Sequence, residues 1–169
     1  MVRRILWFTL IIVTALLLQS TVFEQMRLLG IKPELMYLVT ILIAILEGPK
    51  EGAIVGFAGG MAQDFMLNTP KGITALTLTL LGYAMGLARQ YIVSPSPLLP
   101  TLLVAVGTFA GTAFYQIVRT LLGQLDEPLG YGIKVSVLTA LYGAVLTPIV
   151  YPLLRRVTER SRPTRVVRF

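Results

Sequence analysis

An all-α fold built inside a membrane is what this sequence predicts, and three observations carry the prediction. Apolar residues make up 55% of the 169 positions and charged residues only 14%, against about a quarter in an ordinary soluble domain. The apolar residues fall into uninterrupted runs, and the mean hydropathy is +0.77. The breaks between runs hold glycine, proline and charge. A chain with so little polar surface cannot cover a water-facing exterior, so the solvent it suits is lipid. The length allows one domain, which we place at residues 1–154, with a basic tail at 155–169.

The first run, residues 5–23, follows Arg3 and Arg4 and is long enough to span a core of about 30 Å. A basic start before an apolar run also fits a signal peptide, but no small-x-small cleavage site follows. Residues 24–34 form a polar connection with Gly30 and Pro33. Residues 35–46 are a short apolar run, closed by the charged breaker Glu47-Gly48-Pro49-Lys50-Glu51. Residues 52–65 follow, rich in glycine. These two segments are short for spans, and the sequence leaves two readings open: two short crossings, or a re-entrant hairpin shielded by neighbours. Asn68-Thr69-Pro70-Lys71-Gly72 is a turn. Residues 73–93 are a clear span, stopped by Ser94-Pro95-Ser96-Pro97. Residues 98–122 are another, ending at Gly123 before Asp126, Glu127 and Pro128. Residues 133–154 are the last, with a kink expected at Pro148 and Pro152.

Six helices result, and charge tests the count. With the N-terminus inside, cytoplasmic segments hold ten basic residues: Arg3, Arg4, Lys50, Arg89 and the tail arginines Arg155, Arg156, Arg160, Arg162, Arg165 and Arg168. Outer segments hold five: Arg27, Lys32, Lys71, Arg119 and Lys134. That asymmetry follows the positive-inside rule with both termini cytoplasmic. The net charge of +7 is thus concentrated in the tail and does not point to nucleic acid. A basic tail after an apolar run is attracted to anionic headgroups, at about 1 kcal/mol per residue near the surface; a protein-binding role for it is the alternative.

Chemistry is scarce. There is no histidine and no cysteine, which removes the commonest general base, the commonest metal ligand and any disulfide. We expect no catalytic residue, cofactor or metal. The strongest local pattern is Gly52, Gly56 and Gly60, with Gly59 alongside. Spacing of four puts the first three on one helical face, where another backbone can approach closely. Gly82 with Gly86, and Gly107 with Gly111, repeat it. Two readings stand: packing inside the bundle, or an interface for another membrane protein. Asp64, Arg119 and Lys134 lie beside apolar segments at one predicted depth, so a structural ion pair, or a bond from Asp64 to a helix N-terminus, is expected. Glu47 and Glu51 read as a solvated loop around Lys50.

Pro33-Glu34-Leu35 opening a short apolar helix, then Glu47-Gly48, Gly52-x3-Gly56-Phe57-x-Gly59-Gly60-x3-Asp64, Pro70-x-Gly72 and Gly82-Tyr83-x2-Gly86 together resemble MreD, the rod shape-determining membrane protein family of bacteria. The likeness covers most of the chain in segment order and basic tail. It implies a non-catalytic part in cell elongation and a location in the bacterial cytoplasmic membrane. It implies association with an MreC-like single-pass protein and, through it, with a peptidoglycan glycosyltransferase and a transpeptidase, with actin-like MreB on the cytoplasmic side. It also implies a six-helix bundle similar to the substrate-binding S components of ECF vitamin transporters. Only the glycine stripe and Asp64 carry over residue by residue, as structural or interface positions. The sequence leaves open whether the protein also forms homo-oligomers. An S component is the alternative function, against which the lone Ala15 among bulky residues of the first helix counts. A channel or secondary transporter lacks the midplane charge it needs.

Overall fold

The computed structural model describes residues 2–21, 31, 34–66, 72–89, 98–123 and 129–161. Six α-helices follow one another with no strand among the described residues: α1 (Val2–Thr21), α2 (Leu35–Glu47), α3 (Pro49–Met66), α4 (Ile73–Ala88), α5 (Leu98–Leu121) and α6 (Leu129–Ser161). Two stretches, Leu98–Leu121 and Gly130–Thr158, are long and apolar enough to cross a membrane by length and composition, while Ile5–Thr21, Leu35–Glu47 and Ile73–Ala88 are shorter apolar helices.

Helix α2 is the axis. Eleven consecutive residues, Leu35 to Ile45, are buried, and α2 touches all five other helices. A helix that is apolar all round has no face to give to water and must be enclosed. Its 13 residues rise about 20 Å, short of a full bilayer core. Protein rather than lipid surrounds it.

The break after α2 is tighter than the five-residue breaker expected from the sequence. Gly48 alone makes it, at φ 115°, and its N–H donates to the carbonyl of Ala44 at 2.9 Å. Pro49 then opens α3, a position where its missing N–H costs nothing. Lys50 and Glu51 therefore sit in the first turn of α3. Helix α4 ends at Ala88, before the expected residue 93; the proline cluster after it lies outside the described residues.

Helix α6 is longer than expected at both ends. It begins at Leu129 and runs through Pro148 and Pro152 into the basic tail as far as Ser161. Each proline removes one backbone bond, but Leu154 and Thr158 beyond them are buried, so packing carries the helix on where propensity falters. The tail therefore begins as helix, and Arg162, Arg165 and Arg168 lie outside the described residues.

Polarity runs from inside to outside. Thr40, Thr77, Thr108, Thr112, Ser136, Thr139 and Thr147 are buried, while Leu6, Leu10, Leu76, Leu80, Leu141 and Ile149 are exposed. Several inner hydroxyls donate to the carbonyl one turn back: Thr77 to Ile73 at 2.8 Å, Thr112 to Thr108 at 2.8 Å, Ser136 to Gly132 at 3.0 Å and Thr147 to Gly143 at 2.7 Å. Such bonds leave no demand on water, as a lipid solvent requires.

This inversion predicts where truncation hurts. Leu42→Ala, at a fully buried site in α2, should cost about 3 kcal/mol. Leu80→Ala, on the exposed side of α4, should cost less than about 0.5 kcal/mol. Thermal denaturation of both variants in one detergent checks the order.

Candidate functional site

The helices α3 and α4 run antiparallel, and their contact is built from glycine. A Cβ added at Gly52 would meet the Gly82 carbonyl oxygen at 2.7 Å; one at Gly60 would meet the Ala75 Cα at 2.5 Å; one at Gly56 would collide with the Leu78 carbonyl. From the other side, a Cβ at Gly82 would strike the Gly52 carbonyl, and one at Gly86 the backbone of Pro49. The seam thus steps by about one turn per contact, from Pro49 and Gly86 at one end to Gly60 and Ala75 at the other. Backbone meets backbone along it, which only residues without side chains permit.

The same stripe receives α2. Ala44 lies at 2.5 Å from the position of a Gly52 Cβ, Thr40 Cγ2 at 3.1 Å from that of Gly56, and the Met36 side chain covers Gly59. The third pair faces inward as well. A Cβ at Gly107 would meet Ile41 Cδ1 at 3.0 Å and Met85 Cε at 3.2 Å, and one at Gly111 would meet Tyr37 Cε1 at 2.8 Å and Leu81 Cδ2 at 2.9 Å. All eight glycines are buried, and the chain's own atoms fill the groove they make. Packing inside the bundle is thus what these eight glycines do within the chain.

The next step along the α3–α4 seam is Asp64. Its Oδ2 accepts the Gly72 N–H at 2.8 Å and the Ala75 N–H at 3.2 Å, and the residue is 1% exposed. Gly72 is the N-cap of α4, with φ 101° and no side chain with which to cap. Asp64 supplies from the preceding helix what a serine or aspartate would normally supply at the cap itself. A buried carboxylate is costly, and here two backbone donors and the positive end of the α4 dipole offset the cost. Of the partners expected for Asp64, the structure thus provides the helix N-terminus. Lys134 is exposed in the second turn of α6. Arg119 is half-buried, with its guanidinium carbon 5.9 Å from the centre of the Tyr115 ring, within cation–π range. Arg155 and Arg156 are exposed; nothing is described of the Arg160 side chain.

Other features escaped the sequence reading. A Cβ added at Gly143 would meet Val104 Cγ1 at 3.1 Å and Thr108 Oγ1 at 3.3 Å; its spacing of four to Thr147 was a legible signal on α6. A mostly apolar cleft of about 170 Å³ opens beside the α5–α6 contact, lined by Phe109, Ala113, Gln116, Ile117, Gly132 and Ser136 among others. The side-chain carbonyl oxygens of Gln19 and Gln63 are buried without a hydrogen-bond partner. No group of three or more metal-ligating His, Cys, Asp or Glu comes together among the described residues. The arrangement holds α3 and α4 in backbone contact and caps the start of α4.

Residues 1–157 match the family model of the rod shape-determining protein MreD. Neither a curated protein nor a solved structure matches the chain.

The seam makes two predictions. Gly56→Ala meets immovable backbone and should cost about 3 kcal/mol, whereas Gly111→Ala meets side-chain ends that can shift and should cost about 1 kcal/mol; the two melting curves in detergent should separate accordingly. Asp64→Asn keeps an acceptor for the α4 N-terminus, so it should melt close to wild type. Asp64→Ala should lose about 2 kcal/mol, and equal melting of the two variants would remove the cap from the account.

Proposed function

Because the chain belongs to the MreD family of rod shape-determining proteins, we propose that it is a non-catalytic membrane scaffold that binds an MreC-like partner and positions peptidoglycan synthesis for elongation. The family places it among membrane proteins of cell-shape determination. The observation that carries the finer reading is the family match over residues 1–157. The fold supports it physically, since the glycine stripe and Asp64 are engaged in helix packing and in capping α4.

Six crossings with both termini cytoplasmic belong to the same proposal, in a bundle like that of ECF-transporter S components. Ten basic residues against five support the orientation, and the order of six helices supports the count. The basic end of α6 then faces the cytoplasm, beside anionic lipid and the actin-like MreB. The partner helix docks on the apolar outer surface, because the glycine grooves are already filled from within. Through that partner the scaffold reaches the glycosyltransferase and the transpeptidase. The vitamin-transporter alternative gains no support from the family match.

Depletion in a rod-shaped host should give round cells, and re-expression should restore rods. The membrane-spanning helix of the MreC-like partner, expressed alone with an affinity tag, should retain the protein through purification in mild detergent. Rods that persist through full depletion would overturn the proposal, and so would a partner helix that fails to retain the protein.

A further inference from the structure

Helix α6 changes packing partner partway along its length. Its first half runs antiparallel to α5, with Gln116 over Gly132, and Val104 and Thr108 against Gly143. That register brings Leu98, the first residue of α5, roughly level with Val150. Residues 151–161 therefore have no α5 beside them, an overhang of about 16 Å at 1.5 Å per residue.

The overhang is nevertheless packed. Leu154 and Thr158 are each 5% exposed. Leu154 shares the core cluster with Ile12 and Leu16 of α1 and with Leu42 and Ile45 of α2, and Phe8 and Leu46 pack against that cluster. Helix α6 touches both α1 and α2. The opposite face of the overhang carries exposed Leu153 and exposed Arg155 and Arg156.

The prolines stand at this change of partner. Pro148 deprives the Ala144 carbonyl of its helical donor, and Pro152 does the same to Pro148. The two missing bonds lie four residues apart and so on nearly the same face. A helix cut this way bends easily toward or away from that face. The position of the overhang is then set by where Leu154 and Thr158 seat, more than by the helix's own bonds.

Helix α1 is the element with most to lose. It is the most thinly packed of the six. It buries Ile12, Ala15, Leu16 and Gln19, while Ile5, Leu6, Leu10, Val13 and Leu17 are exposed. Ile12 also covers Gly59, lying 3.9 Å from where its Cβ would be. We propose that residues 151–161 form a proline-hinged latch that holds α1 against the bundle through Leu154, and that releasing it frees α1 while α3 and α4 stay packed. Release uncovers the Gly59 side of α3 and the neighbouring Met36 side of α2, a groove that α1 otherwise fills.

The chain has no native cysteine, so introduced pairs can be spin-labelled cleanly. One pair, Leu6→Cys with Leu87→Cys, reads α1 against α4; a second, Phe57→Cys with Leu80→Cys, reads α3 against α4. All four positions are exposed. In lipid nanodiscs each pair should give one narrow distance in the otherwise unaltered protein. Leu154→Ala, and separately Pro148→Ala with Pro152→Ala, should add a longer distance to the first pair and leave the second unchanged. An unchanged first pair in both backgrounds overturns the latch. Broadening of the second pair overturns it too, because Leu154 would then hold the whole bundle. A response to Leu154→Ala without one to the proline variants overturns the hinge.

Discussion

Two helix backbones in direct contact, with no side chain between them, set the geometry of this protein. Between lipid-bathed helices there is little hydrophobic drive to associate, since the tails outside are as apolar as leucine. Attraction must come from many close van der Waals contacts, and those grow quickly as helices approach. Glycines on both sides of the α3–α4 seam bring the helices as near as helices come. The resulting ridge-free surface then accepts α2, whose Ala44, Thr40 and Met36 settle along the α3 side of the groove. Once α2 is seated, the depth of every other helix follows, because each of them touches it.

The cap on α4 is a consequence of that register. If the seam slipped by one residue, Asp64 would turn away from the α4 N-terminus and lose both backbone donors in an apolar setting. The glycines supply closeness and the carboxylate supplies a unique register. The two devices are separated by a single helical turn, between Gly60 and Asp64. A carboxylate already accepting two backbone N–H groups, at 2.8 and 3.2 Å, is committed to structure.

Much of this was legible in the sequence because the signals are local. The runs of apolar residues, the spacing of Gly52, Gly56 and Gly60, and the prolines at the ends of segments each act within a few positions. Asp64 was legible as a costly charge, with a helix N-terminus among its expected partners. What was hidden depends on distance in space. Nothing near Gly72 says that its missing cap arrives from eight residues upstream. The stop at Gly48 looked wider than it is because Lys50 and Glu51 read as loop, although a helix beginning at Pro49 accommodates them in its first turn. The passage of the last helix through Pro148 and Pro152 was legible, but its continuation beyond residue 154 was not: the run of arginines reads as a tail, and only the burial of Thr158 argues for helix there.

A central helix of 13 residues also bears on how the protein is made. During synthesis α2 emerges before the glycine-rich α3 and well before α4, and at about 20 Å it is too short to sit comfortably across a bilayer alone. Its lasting stability depends on neighbours not yet translated. Folding of α2 is therefore tied to that of α3 and α4 and cannot be completed before residue 88 has left the ribosome, with Gly48 as the bend of the leading hairpin. The order of elements along the chain, with the enclosed helix directly followed by the two that cradle it, keeps that waiting time short.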